Sequence, residues 1–88
     1  MNVIIIEHAR DRMGERGVVA DEVGSVLESG ATVETKGRRK SREAIFPFAG
    51  LWHGRSFPHK KVRVVYVEEG QSLVVITVYA FYGRWSAE

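Results

Sequence analysis

Cysteine is absent from the 88-residue sequence. Disulfide bonds, thiol nucleophiles and thiolate metal sites are therefore excluded, and we expect the chain to work in the reducing cytoplasm. The two histidines that lie closest together, His53 and His59, have only Glu43 as a nearby acid in sequence, which does not favour a zinc site. We therefore expect neither a metal nor another cofactor.

Long apolar runs are also missing, because no stretch approaches the roughly 18 apolar residues that cross a bilayer. The first residues, MNVIIIEH, lack the basic start of a secretory signal. The glycines match neither the P-loop nor the dinucleotide-binding fingerprint. A chain of this length buries only about 60–65% of its unfolded surface, so we expect one domain over residues 1–88 with a modest core. Because no apolar run or signal is present, we expect no membrane partner.

Acidic residues are scarce in the middle of the chain. Residues 36–63 hold nine of the thirteen lysines and arginines but only one acid, so this window carries +8 and the remainder −6. Concentrated positive charge is typical of proteins that bind polyanions, although solvated loops that only maintain solubility have the same composition. The sequence leaves both interpretations open.

The stretch HARDRMGERG, residues 8–17, concentrates cations in a predicted helix. Residues four apart lie on one side of a helix, so His8, Arg12 and Arg16 form a cationic line beside the apolar line of Ala9 and Met13. Such a line is either a functional face or an ordinary surface helix whose arginines pair with neighbouring acids. Pairs of that kind contribute only about 0.2–0.5 kcal/mol each.

Two helices are predicted ahead of a β-rich second half. The first covers Glu7 to Glu15 and ends at Gly17, where a left-handed cap is expected. The second covers residues 20–29, because apolar residues recur there at helical spacing and Gly30 follows. β-Branched or alternating runs predict strands, which are residues 2–6, 31–36, 43–50, 61–67 and 72–82.

The connections between these elements define the predicted fold. EEGQ joins the last two strands, and Gly70 permits a tight turn there, so we expect an antiparallel hairpin. Pro47 cannot donate to a ladder and places its strand at an edge. The loops 36–42 and 50–60 carry most of the positive charge. We therefore predict an α+β fold with two N-terminal helices packed on one face of a small, mainly antiparallel sheet, in the order β-α-α-β-β-β-β.

The helical motifs resemble those of a known bacterial family. The pairs His8-Ala9, Arg12-Met13 and Arg16-Gly17, followed by Asp21-Glu22-Val23, are similar to the opening of domain-of-unknown-function family 4258 (DUF4258). The closing runs RVVYV (63–67) and VITVY (75–79) are similar to its final strands. Val18-Val19 departs from the family's Ile-Ser and removes a capping hydroxyl worth about 1 kcal/mol. The family resembles the RelE-type and BrnT-type toxins of toxin–antitoxin pairs, which implies their fold.

That resemblance implies a toxin-type, metal-independent endoribonuclease that cleaves RNA by attack of a 2′-hydroxyl on the adjacent phosphate. The reaction needs a base, an acid and cations around the phosphate. Imidazole exchanges protons near neutral pH, and guanidinium matches phosphate in a two-pronged geometry. The candidate catalytic residues are His8, Arg12, Arg63 and Tyr79. The candidate nucleic-acid-binding cations are Arg16, Arg38, Arg39, Lys40, Arg42, Arg55, Lys60 and Lys61.

The same resemblance implies partners. RNA, at the ribosome or free of it, is the expected substrate, and the rings of Tyr79, Tyr82 and Trp85 can stack on its unpaired bases. An antitoxin protein that covers the basic surface is the expected protein partner. A homodimer is also compatible with the sequence.

Each candidate residue also has a structural interpretation. His8 can bond the local backbone near the helix start, Tyr79 can belong to the core, and Trp52 and Trp85 can anchor a loop and the tail.

Other functional interpretations remain open. A second catalytic option uses His53 and His59 in the loop HGRSFPH. The chain can also be a non-catalytic module that binds RNA or an acidic protein through residues 36–63, or a protein whose role is dimerisation or regulation.

Overall fold

The two helices form where the apolar spacing predicts them. In the computed structural model, which describes residues 2–85, α1 covers Glu7–Arg16 and α2 covers Ala20–Ser29. Gly17 ends α1 in the left-handed conformation, with φ 72°, and donates its N–H to the carbonyl of Met13. The predicted cap is therefore confirmed. The buried residues of the two helices are Ala9, Met13, Val23, Val26 and Leu27.

Within residues 2–85, five strands form one sheet in the order β1-β5-β4-β3-β2. The strands are β1 Asn2–Ile5, β2 Ala31–Val33, β3 Lys40–Trp52, β4 Arg55–Glu69 and β5 Ser72–Gly83. The β1–β5 pair is parallel and the other three pairs are antiparallel. The predicted α+β fold and its element order are confirmed. The hairpin of β4 and β5, with Gly70 at φ 62°, is confirmed as well.

The prediction of a loop over residues 50–60 is wrong. It is the end of a long β3–β4 hairpin, which turns at His53 and Gly54 with φ of 52° and 80°. The loop predicted over 36–42 ends one residue before Lys40, where β3 begins. Pro47 does lie on a strand edge, because β2 pairs with β3 only as far as Glu43.

The helices pack on one face of the sheet. Val62, Val64 and Val78 are fully buried in the core beneath the helices. Side chains alternate between faces along a strand, so the intervening residues point away from the helices. We call this second surface the open face. It contains Ser41, Glu43, Ile45, Lys61, Arg63, Val65, Thr77, Tyr79 and Phe81.

The end of α1 packs closely against the sheet. A Cβ atom on Gly17 would lie 2.7 Å from the Tyr82 hydroxyl and 2.8 Å from the Trp52 ring, so a side chain has no room there. The Tyr82 hydroxyl donates a hydrogen bond to the Arg16 carbonyl at 2.7 Å. This contact fixes the position of Arg16 relative to β5.

Replacing Tyr82 with phenylalanine is expected to lower the free energy of unfolding by about 1 kcal/mol at neutral pH, through loss of that hydrogen bond. Burial, and secondarily the Glu22 carboxylate, raises the pKa of Tyr82 above its ordinary value of 10.0. Below that pH the phenol is protonated in both states. Above it the unfolded chain ionises first, so wild-type stability falls until the folded phenol also ionises.

The stability gap between wild type and Tyr82→Phe should therefore narrow as the pH rises through 10. Urea unfolding of both proteins at about pH 8 and about pH 11 measures it, and the other tyrosines cancel in the difference. A gap that is constant or widens would contradict the raised pKa.

Neither helix within residues 2–85 has the length and apolarity needed to cross a membrane.

Candidate active site

Helix α1 has the two lines that the spacing predicts. Ala9 and Met13 are buried against the sheet. His8 is exposed, and Arg12 and Arg16 are partly exposed on the adjoining side of the helix. The apolar line therefore seats the helix, and the cationic line remains accessible.

The cationic line faces a cleft of about 450 Å³ between α1 and the free edge of β5. β1 pairs with β5 only as far as Val75, so the following residues of β5 have no strand beside them on that side in the described chain. None of the described residues that line the cleft is acidic. They are Ile6, His8, Arg12, Arg16, Arg39, Ile76, Thr77 and Tyr79.

Arg16 is held on the edge of β5. Its Nη1 atom donates to the Val78 carbonyl at 2.6 Å, and its guanidinium carbon lies 5.0 Å from the centre of the Tyr79 ring. A guanidinium has five N–H donors, so one bond to a carbonyl leaves others for an anion. The contact also brings helix α1 to the tyrosine predicted as catalytic.

Arg12 is held more loosely. Its Nη1 atom lies 2.9 Å from both carboxylate oxygens of Glu15, and the two side chains are 32% and 60% exposed. Exposed pairs of this kind contribute less than about 1 kcal/mol. A phosphate in the cleft can therefore compete for Arg12 at little cost.

Arg39 reaches the cleft from the loop between β2 and β3. The Thr35 hydroxyl donates to the Arg39 carbonyl and closes this loop. The basic loop and α1 therefore share one surface at Arg39. Arg38, its neighbour in the same loop, is exposed and does not line the cleft.

Arg63 lies opposite Tyr79 in the β4–β5 register, outside the lining of the cleft. Its Nε and Nη2 atoms each lie 2.9 Å from Oε1 of Glu43. The side chain is 33% exposed, and its guanidinium carbon lies 5.3 Å from the centre of the Phe81 ring. The structure thus places Arg63 next to the cleft, on the open face.

The other predicted cations are dispersed. Lys40 pairs with Glu68 at 3.1 Å, with both side chains 53% exposed. Arg42 donates to the Leu27 carbonyl at 3.2 Å on the helix side of the sheet. Arg55 lies over Phe57 in the β3–β4 hairpin.

The two remaining predicted cations, Lys60 and Lys61, point to opposite faces. Lys61 is on the open face, where its ammonium lies 4.8 Å from the centre of the Trp85 ring. Lys60 is only 6% exposed. Its ammonium lies 2.7 Å from the Gly17 carbonyl and 2.8 Å from a carboxylate oxygen of Glu22. We therefore assign Lys60 to the packing of the helices on the sheet and leave it out of the candidate site.

The fold does not bring His53 and His59, the second catalytic option, close together. His53 is stacked on Trp52 at the hairpin turn, whereas Nδ1 of His59 accepts the backbone N–H of Trp85 at 3.1 Å. Strand residues rise about 3.3 Å each, so the two imidazoles are too far apart to act on one phosphate. No group of three or more metal-ligating side chains occurs within residues 2–85.

Strand alternation places the aromatic side chains of β5 on two different faces of the sheet, and the sequence analysis predicted only part of this arrangement. Tyr79 is 39% exposed, so it is not a core residue. Tyr82 points to the helix side, where its ring stacks on Trp52 at 4.5 Å, and it is not available to a base on the open face. Phe81, which the sequence analysis did not select, is 40% exposed beside Tyr79. Its separation of two residues from Tyr79 was the signal for a shared face.

Thr77 is a second residue that sequence reasoning missed. It lines the cleft beside Tyr79. Among the described residues, the lining of the cleft combines one imidazole, two hydroxyls and three guanidinium groups, with no carboxylate. Such a set can bind a phosphate and move protons at its oxygens.

Comparison with known proteins identifies one family. The family model described as a domain of unknown function (DUF4258) matches residues 5–80. No curated protein and no solved structure gives a significant match to the chain.

Proposed function

The chain belongs to the DUF4258 family, and we propose that it is a metal-independent endoribonuclease whose active site is the cleft between α1 and β5. One observation carries this proposal. Helix α1, the loop before β3 and strand β5 bring His8, three arginines and Tyr79 to the same cleft. Groups that bind phosphate and an imidazole that can act as an acid or a base thus lie together.

The chemistry assigned to the cleft is transesterification of RNA. The 2′-oxygen attacks the adjacent phosphorus, the bond from phosphorus to the 5′-oxygen breaks, and a 2′,3′-cyclic phosphate remains. His8 is the only histidine among the described residues that line the cleft. We therefore assign it the role of the base that removes the proton of the 2′-hydroxyl. Tyr79 lines the same cleft, and we assign its hydroxyl the role of the acid that donates a proton to the leaving 5′-oxygen.

The arginines have the electrostatic role. Negative charge grows on the non-bridging oxygens of the phosphate as the 2′-oxygen attacks, and preorganised donors stabilise it. Arg16 is already fixed on the edge of β5, so it needs no reorganisation. Arg12 and Arg39 approach from the helix and from the loop. The cations predicted in two separate parts of the sequence act here on one phosphate.

A role as the toxin of a toxin–antitoxin pair is part of this proposal. Uncontrolled RNA cleavage stops growth, so a partner that covers the cleft would be needed in the cell. Regulated expression in a bacterial host is expected to arrest growth and shorten cellular RNA.

Cleavage of a fluorescent RNA oligonucleotide in EDTA tests the proposed chemistry directly. The purified protein should cleave the unpaired RNA and produce a 2′,3′-cyclic phosphate or its hydrolysis product. It should not cleave the same sequence in its 2′-deoxy form. Substituting one 2′-deoxynucleotide should block cleavage at that position alone, because it removes the nucleophile. An absence of cleavage, or cleavage of the all-deoxy strand, would contradict the mechanism.

A second candidate is a non-catalytic RNA-binding module. It is favoured by Arg63 and Lys61, which place positive charge on the open face beside the cleft. This candidate predicts RNA binding without any cleaved product, so the same oligonucleotide distinguishes the two functions.

A further inference from the structure

The open face continues from the cleft as a surface of paired rings and cations. The rings of Tyr79 and Phe81 are nearly parallel, at 18°, with centres 6.5 Å apart. Arg16 lies 5.0 Å from the first ring centre and Arg63 lies 5.3 Å from the second. Each ring therefore has a guanidinium group over one of its faces.

The pattern extends to the end of β5. Lys61 lies opposite Phe81 in the register, and its ammonium is 4.8 Å from the centre of the Trp85 ring. The hydrogen bond from the Trp85 backbone to His59 holds this residue beside the sheet. We call the three rings and their three cations the aromatic track, which comprises Tyr79, Phe81, Trp85, Arg16, Arg63 and Lys61.

The net charge along the aromatic track is positive. Glu43 is the acid among the nine residues named for the open face, and it is shared between Arg63 at 2.9 Å and Lys61 at 3.9 Å. Two cations therefore surround one carboxylate, and Arg16 adds a third positive charge at the cleft. Both polyanions and aromatic ligands are favoured on such a surface.

We propose that the aromatic track binds a single unpaired strand of RNA, about three nucleotides long, that leads out of the cleft. Flat rings beside cations are the combination that binds single strands, because bases stack on the rings while the cations contact phosphates. The bases of a double helix are stacked on each other and cannot reach these rings. An acidic peptide would use the cations but leave the rings exposed. The inference rests on the proposed function in that it names the substrate of the same cleft.

Binding of a fluorescein-labelled, 2′-O-methyl hexauridylate tests the aromatic track separately from cleavage, since this probe lacks the attacking hydroxyl. Fluorescence anisotropy is expected to show binding that is weakened about 5- to 100-fold by Phe81→Ala, which removes one stacking surface. Phe81→Trp should retain binding. Phe81 is 40% exposed, so we expect both variants to fold, and their melting temperatures check this.

Phe57→Ala is the matched control. Phe57 also has its own arginine, Arg55, at 5.5 Å, but its ring lies 6.0 Å from that of Tyr82, which points to the helix side. Its loss should leave the affinity within about twofold of wild type, since no stacking surface of the track is removed. The dependence of binding on salt gives a second readout, because Lys61→Ala should reduce the slope of log K against log salt by about 0.7.

Three outcomes would overturn the aromatic track. These are an affinity unchanged by Phe81→Ala, equal binding of an RNA duplex, and equal competition by polyglutamate. Cleavage in EDTA with a Phe81-independent affinity would leave the proposed nuclease intact and remove the track. Conversely, Phe81-dependent binding without any cleavage would retain the track and remove the nuclease.

Discussion

Replacing His8 with alanine is expected to reduce the rate of RNA cleavage by about 10²- to 10⁴-fold, the usual contribution of a positioned acid–base group. His8 is exposed at the start of α1, and the buried side of that helix consists of Ala9 and Met13. The melting temperature and the affinity for the 2′-O-methyl probe should therefore stay close to those of wild type. A fall in kcat with an unchanged KM is the expected kinetic signature.

His53→Ala is the matched control for this variant. His53 is also an exposed histidine, but it stacks on Trp52 at the turn of the β3–β4 hairpin, away from the cleft. Its loss should leave cleavage unchanged. If cleavage is unaffected by His8→Ala, the assignment of the base is wrong. If the His8→Ala protein instead melts much earlier than wild type, His8 has the structural role that the sequence also allowed.

Replacing Lys60 with methionine is expected to lower the free energy of unfolding by about 2–4 kcal/mol, because the loss of one partner leaves a nearly buried charge without compensation. The ammonium contacts Glu22 at 2.8 Å and the Gly17 carbonyl at 2.7 Å. The side chains of Lys60 and Glu22 are only 7% and 17% exposed. Glu22 also accepts the backbone N–H of Val19 at 3.1 Å at the start of α2, so we expect the start of this helix to be destabilised as well.

The double variant Lys60→Met, Glu22→Gln should recover much of that loss, since it removes the unpaired charge. Lys40→Met is the control, because Lys40 also pairs with a glutamate but both side chains are 53% exposed. Its effect should stay below about 1 kcal/mol. Urea unfolding of the set measures the differences. Equal stabilities for Lys60→Met and Lys40→Met would show that burial does not matter here.

The sequence predicted the residues of the site that lie on one helix better than those that lie on a strand. Helical spacing predicted that His8, Arg12 and Arg16 share one side of α1, because a helix repeats over a few residues. Strand alternation did not predict the faces of β5 equally well. Val75 and Val78 are both fully buried although they lie three residues apart, because the register with β4 shifts between Val65 and Tyr66.

Contacts between distant parts of the chain were beyond the reach of these local patterns. Arg39 and His8 are separated by a helix and a strand, and nothing in their neighbourhoods indicates that one cleft holds both. Lys60 stands next to Lys61 in the densest basic stretch, yet a strand sends them to opposite faces. Charge counts alone therefore treated a buried packing residue and an accessible cation as equivalent.

The position of Arg16 at the free edge of β5 has a consequence for solubility. An uncovered strand edge offers unpaired backbone groups to the strands of other molecules, and charged side chains commonly prevent such pairing. Arg16 satisfies the Val78 carbonyl and places a positive charge beside it. A protein without this side chain would present a bare edge, so self-association and weaker RNA binding would appear together. The RNA affinity measured on such a protein would therefore reflect self-association through the edge of β5 as well as the loss of the cation.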